Sequence, residues 1–248
     1  MSKLVKQYGA VAILDALGAK NFSEQDIAAF LESRERVLTE LSEWVEDPHG
    51  SVKIDPKELV TFTFNDTILI VLRSGDQPLA LSKATSFAAV LRKFVVDSLV
   101  AGLLFRGSAA LGTFYVDEDT NTVMGDAVTD AAQWYESSDW MGIHFTPRSC
   151  IELERMFLKH EDYKEWAVLR YQVPLRDGKS LDTYAINWPK IFMVKRLRPW
   201  KDSLPLRAKL LGFLSRHRIP LGTEQKYSKT IAFFDHSIEK ETLRIKNR

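Results

Sequence analysis

The sequence predicts a single α+β domain with a C-terminal extension, on three observations. Short apolar runs bounded by turn residues recur as strand candidates, and two pairs of them lie close enough in sequence to be hairpins. Two long stretches between them repeat apolar residues at helical spacing. No repeat, low-complexity segment or Pro/Gly-rich linker divides the chain, and 248 residues with 45% hydrophobic and 27% charged suit one large domain with an appendage. The boundary is placed at 198, leaving 199–248 as the extension.

Residues 9–15 (GAVAILD) read as a buried first strand, followed by a turn at Gly18. Ser23 opens a helix to about Val45. Asp26 three residues on resembles a capping box, and Ile27, Phe30, Leu31, Val37, Leu38, Leu41, Trp44 and Val45 recur at helical spacing. Leu59–Phe64 and Thr67–Leu72 are strands joined by Asn65 and Asp66, a two-residue hairpin connection. A second long helix is expected from Pro78 to about Val100. Leu103 to Leu111 returns as a strand containing Arg106 and Gly107, and the polar tip 117–121 joins GTFYV to TVMG as a second hairpin. A short helix runs from Asp126 to about Glu136. MGIHF, EWAVLRYQVPL and LDTYAINW are further strands, with a helix near Pro147 to Leu158 between the first two. In the tail, Leu204 to His217 is basic and amphipathic, and KTIAFFDHS packs back onto the body. Arg207, Lys209, Arg216 and Arg218 read there as a solvated helix face.

Thirty-four Lys and Arg against 33 Asp and Glu leave no global field to draw the chain onto nucleic acid or anionic lipid. The single cysteine, Cys150, excludes an intramolecular disulfide framework and a cysteine-rich zinc site. No signal peptide is read at MSKLVKQYGA and no apolar run reaches the ~20 residues a membrane span needs, so the expected location is cytoplasmic, without direct membrane contact. Asp15 and Asp66 stand out because each lies at the end of a strand-like apolar run, where a carboxylate must be solvated, paired or bound to a metal. Side by side, two such tips would offer oxygen ligands to a hard divalent cation. Taken singly, Asp15 also reads as a turn-capping carboxylate and Asp66 as an ordinary hairpin-turn residue.

The order strand with Asp, helix, hairpin with Asp at its tip, helix, strand starting Arg-Gly, hairpin, Gly-Asp-x-Val and helix resembles the class III nucleotide cyclase domain. The matching stretches are ILDALGAKNF, FTFNDTILIV, FRGSAALGTF and VMGDAVTDAAQWYES, over roughly residues 8 to 145. The resemblance implies a ferredoxin-like fold, a central, mostly antiparallel sheet flanked by helices. It implies that Asp15, Asp66 and the backbone carbonyl of Ala16 hold two Mg²⁺ or Mn²⁺ ions, and that amides around Leu17, Gly18 and Ala19 cradle phosphate. Arg106 would contact the triphosphate from the same subunit; read alone, it is a surface salt bridge. Arg176 or Lys179 would reach the phosphates from the partner subunit of a homodimer with composite sites.

The chain departs from the family at four positions. Phe62 and Thr122 stand where purine cyclases choose their base. Phe62 would shorten the pocket for a smaller base, or serve simply as a core aromatic. Thr129 and Gln133 replace the family's Asn and Arg on one helical face, which removes a cation from the transition state. Asp-Ala-Leu-Gly at 15–18, the Arg-Gly strand start, the altered base pair and Asn187-Trp188-Pro189 look like the bacterial pyrimidine cyclases of Pycsar anti-phage systems. That likeness implies conversion of UTP, ahead of CTP, to a cyclic nucleotide that activates a separate effector. A catalytically dead regulatory domain and a divergent adenylate or guanylate cyclase are the alternatives.

Overall fold

The computed structural model describes residues 5–19, 22–46, 54–117, 119–158, 167–194, 198–201, 203–217 and 222–246. Its core begins with β1 (Val5–Ala16), α1 (Glu24–Glu46), the hairpin of β2 (Leu59–Phe64) and β3 (Thr67–Arg73), α2 (Leu81–Val100) and β4 (Phe105–Asp117). Then come β5 (Thr122–Met124), α3 (Asp126–Trp134), β6 (Gly142–Phe145), α4 (Pro147–Phe157), and the hairpin of β7 (Val168–Pro174) and β8 (Ser180–Ile186). The tail holds α5 (Lys190–Met193), α6 (Leu206–Leu214) and α7 (Glu224–Lys246). Glu165 and Trp166 of the expected EWAVLRYQVPL strand, and Arg218 of the expected basic face, lie outside the described residues.

The strands form one sheet in the order β2-β3-β1-β4-β6-β8-β7, with β5 paired to β4. Only β4 and β6 run parallel, so the fold is α+β with a mostly antiparallel sheet and helices against it. The first six elements give the split βαβ arrangement, in which two helical crossovers interleave four antiparallel strands. β1 starts four residues earlier than its apolar run, because Val5 to Tyr8 pair with Thr113 to Val116 and need no burial to do so. α2 starts at Leu81, past the proline that was expected to open it.

Period-two alternation divides β1 between two cores. Ala10, Ala12, Leu14 and Ala16 enter the large cluster beneath α1, α2 and α4, while Val11 and Ile13 join a smaller one with Phe62, Val71, Ala110, Ala127 and Ala131 beneath α3. Asp15 follows the odd positions onto the α3 face. α1 is capped as expected: the Ser23 amide and hydroxyl both donate to Asp26 Oδ2, at 2.9 and 2.7 Å, and the Asp26 amide returns a bond to Ser23 Oγ. Its buried stripe is Phe30, Val37, Leu41 and Val45; Ile27 and Leu31 lie on the exposed flank.

The tail is continuous with the large core. Leu210, Phe213, Leu214, Phe233 and Phe234 belong to that cluster. KTIAFFDHS lies inside the long helix α7. Among the described residues no helix is long and apolar enough to cross a membrane.

Candidate active site

The register of three strands builds the site. Asp15 is the direct cross-strand partner of Thr67 on β3 and of Arg106 on β4, so side chains from all three strands share one face at one end of the sheet. The β2–β3 turn closes next to them. Asn65 adopts φ 53°, a conformation Asn tolerates, and the Ala16 amide donates to the Asp66 carbonyl at 3.1 Å. Arg34 of α1 fixes the same turn from outside, donating to the Asn65 carbonyl at 2.9 Å.

Arg106 is 4% exposed and donates through Nε and Nη2 to Asp15 Oδ2, at 3.1 and 2.8 Å. Its Nη1 reaches the carbonyls of Glu136 and Ser138, and the Glu136 carboxylate stands 3.8 Å away. Read in isolation, this arginine was a surface ion pair; the structure makes it a buried one. Gly107 explains the Arg-Gly pattern: a Cβ there would fall 2.2 Å from the Ile13 carbonyl, so only glycine lets β4 lie this close to β1.

The phosphate turn needs one correction. The Leu17 amide is not available to a ligand, because it donates to the Leu104 carbonyl at 2.8 Å. Gly18, at φ 90° and with open space around it, keeps the expected turn.

Phe62 is 8% exposed and packs in the smaller core, the role of a core aromatic. Thr122 pairs with Asp117, the last residue of β4, at the end remote from Arg106. One chain therefore does not bring Phe62, Thr122 and the two aspartates together. Thr129 and Gln133 both lie on the exposed face of α3. Lys179 is exposed and bound to Asp177 in its own turn. Arg176 is exposed, and its backbone amide donates at 2.9 Å to the carbonyl of Ser137, between the Glu136 and Ser138 carbonyls that Arg106 reaches.

Three neighbours of the site were not anticipated. Tyr135, at the end of α3, has its hydroxyl pKa raised by burial and by the negative charges of Glu136, Asp15 and Asp66, against the opposing charge of Arg106. Glu136 follows it. Lys226, in the first turn of α7, has its pKa lowered by burial and by the charges of Arg106 and Arg176. The continuation of VMGDAVTDAAQWYES towards Arg106 was a signal for the first two; nothing local to Lys226 marks it. A separate cleft of about 780 Å³ opens at the other end of β1 and β4, lined by Lys6, Tyr8, Thr113, Arg148 and Glu152 among others.

The chain is similar to solved nucleotide cyclases. The adenylyl cyclase CyaB from P. aeruginosa shares 13% identity and a TM-score of 0.49, over 74% of this chain and 95% of that one. The catalytic core of a rhodopsin-guanylyl cyclase with converted specificity gives 13%, 0.47, 75% and 98%. An adenylate/guanylate cyclase/hydrolase from Silicibacter pomeroyi gives 14%, 0.38, 74% and 98%. No family model and no curated protein matches the chain. At these identities and scores, the functional reading rests on the chain's own residues.

Proposed function

We propose that this protein is a nucleotide cyclase of the class III kind, closing a nucleoside triphosphate to the 3′,5′-cyclic nucleotide. The observation that carries the reading is the meeting of Asp15, the Asp66 turn and Arg106 at one end of the sheet, from strands far apart in sequence.

The donors proposed for a divalent cation are the Asp15 and Asp66 carboxylates and the Ala16 carbonyl, an all-oxygen set of the kind Mg²⁺ or Mn²⁺ takes. No group of three or more His, Cys, Asp or Glu side chains converges among the described residues, so the backbone carbonyl and the substrate's phosphates would have to complete the set. When bound, two such ions supply charge neutralisation of the triphosphate and acidify the ribose 3′-hydroxyl. The 3′-oxygen forms a bond to the α-phosphorus while the bond to pyrophosphate breaks.

Arg106 holds Asp15 in place, and its planar fork can turn from that carboxylate to phosphate oxygens. The turn at Gly18 and Ala19 presents backbone amides to the same anion. Thr129 and Gln133 stand on an exposed helix face, where they can donate hydrogen bonds into the site of a second copy; a two-fold homodimer would then carry two composite sites. Such a pairing could also join Phe62 and Thr122, which one chain keeps apart.

The substrate is proposed as UTP, ahead of CTP, and the product as a messenger in anti-phage defence acting on a separate effector. This preference rests on Asp15-Ala16-Leu17-Gly18 and Asn187-Trp188-Pro189, the features shared with the pyrimidine branch. Phe62 gives it little support, because its ring is taken up in packing. The same burial favours a second reading, a purine cyclase with a divergent pocket. Asp66→Ala tests the core claim: product should vanish while the fold is retained, and surviving activity would reject the metal assignment.

A further inference from the structure

The near balance of charge along the whole chain hides a local excess. Residues 195–218 carry eight Lys and Arg against one acid, Asp202, so the rest of the chain is net acidic. Lys201, Arg207, Lys209 and Arg216 of this stretch lie on α6 or just beside it. Arg207 pairs with Asp235 of α7 at 3.2 Å, across an exposed contact. Lys201 and Arg216 have no carboxylate partner among the described residues. Lys209 and Arg216 stand on aromatic faces instead: the ammonium lies 5.1 Å and the guanidinium 5.2 Å from the centre of the Phe213 ring, and Lys209 is 5.6 Å from that of Trp200. Phe213, Trp200 and Phe192 pack on one another, which anchors both cations to the large core.

The outer face of α6 is not that of a solvated helix. Leu210, Phe213 and Leu214 are buried, whereas Arg207, Ala208, Leu211 and Gly212 are exposed. Leu211 is 41% exposed, and Leu204, just ahead of the helix, is 55% exposed. The helix holds no acidic residue. Its outward side is therefore small and aliphatic with cations at the edges, where a helix facing water carries polar groups of both signs. The basic residues were expected to form a solvated face, and the exposed leucines among them do not fit that expectation.

We propose that this face is a docking surface for an anionic lipid bilayer. Leu204 and Leu211 enter the boundary between headgroups and acyl chains, while Lys201, Arg207, Lys209 and Arg216 meet the headgroup phosphates. A nucleic acid would call for exposed aromatic rings on which bases stack. Here Phe213 is buried and Trp200 half-buried, with Lys209 over both rings, and the side chains that project are leucines. With nine residues, α6 lies on the bilayer rather than across it. The inference is independent of the cyclase reading, and it replaces the absence of membrane contact expected from the overall charge.

Vesicle flotation of the full chain tests it, with vesicles of phosphatidylcholine alone and of phosphatidylcholine mixed equally with phosphatidylglycerol. Binding is expected to the mixed vesicles only, and should fall as salt rises. Lys201→Gln/Arg207→Gln should weaken it roughly thirty-fold, about fivefold for each lost cation. Leu204→Ser/Leu211→Ser should weaken it about tenfold. Because all four side chains are exposed, the melting temperatures of both variants should stay within about 2 °C of the parent. No binding to the mixed vesicles, or equal binding to both kinds, overturns the proposal. Vesicle binding that survives the leucine substitutions also overturns it, since any polyanion would then serve. Retention of a DNA oligonucleotide by a chain that ignores the mixed vesicles would assign the face to nucleic acid instead.

Discussion

Asp15→Ala separates the structural and chemical parts of the site. It removes the carboxylate that accepts two hydrogen bonds from Arg106, leaving a guanidinium that is 4% exposed with two backbone carbonyls and a glutamate 3.8 Å away. Breaking a buried pair from one side costs about 3–5 kcal/mol. Asp15 is itself 14% exposed and Glu136 partly compensates, so the lower end, about 3 kcal/mol, is expected. For a chain of this size that is a fall in melting temperature of roughly 6–12 °C. Asp66→Ala is the control: its carboxylate makes no hydrogen bond among the described residues, and the Ala16 bond goes to its backbone, so a change within about 0.5 kcal/mol is expected. Both variants should lose cyclase activity. Scanning calorimetry on the two singles, on Arg106→Ala and on Asp15→Ala/Arg106→Ala gives the pair's coupling, expected at about 1–3 kcal/mol. An Asp15→Ala melting temperature equal to that of the parent, or zero coupling, would refute the reasoning.

The remaining predictions are independent of that pair. Burial lowers the pKa of His144 to about 4, against 6.5 for an ordinary histidine. The unfolded chain therefore takes up a proton that the folded one refuses: stability is full above about pH 6.5 and falls towards pH 4 by up to about 1.4 kcal/mol per pH unit. His144→Leu should flatten that acid limb in urea titrations, and an unchanged slope would exclude His144 as its source. Mixing Asp66→Ala with Gln133→Ala chains should restore about a quarter of the parent activity through heterodimers with one intact composite site, whereas no restoration would count against a shared site. Phe62→Ala should cost about 3 kcal/mol or more, measured by denaturant melts, because it opens a hole in the smaller core; a loss under about 1 kcal/mol would mean the ring is not packed as described.

Local signals were enough for much of the fold. The apolar run to Asp15, the Asn65-Asp66 connection and the Ser23–Asp26 cap each depend on near neighbours, and each forms as the residues suggest. The meeting of Asp15 with Arg106 is a matter of register between distant strands, which came into view only through a likeness of element order. Phe62 shows the limit of alternation: its position fixes its face, while its burial depends on α3 and β1 lying over and beside it. Leu17 shows another, since only tertiary pairing with Leu104 reveals that its amide is taken. Lys226 was legible least of all. It reads as one more basic residue in a polar helix, and its place is decided by contacts with Met141, Asp139 and Asn187 far back along the chain.

The central claim meets its most direct test when the purified protein is incubated with each of the four nucleoside triphosphates and Mn²⁺, and the products are identified by mass spectrometry. Cyclic UMP or cyclic CMP, with an equal amount of pyrophosphate, is the expected result. Absence of a cyclic nucleotide from all four would contradict it.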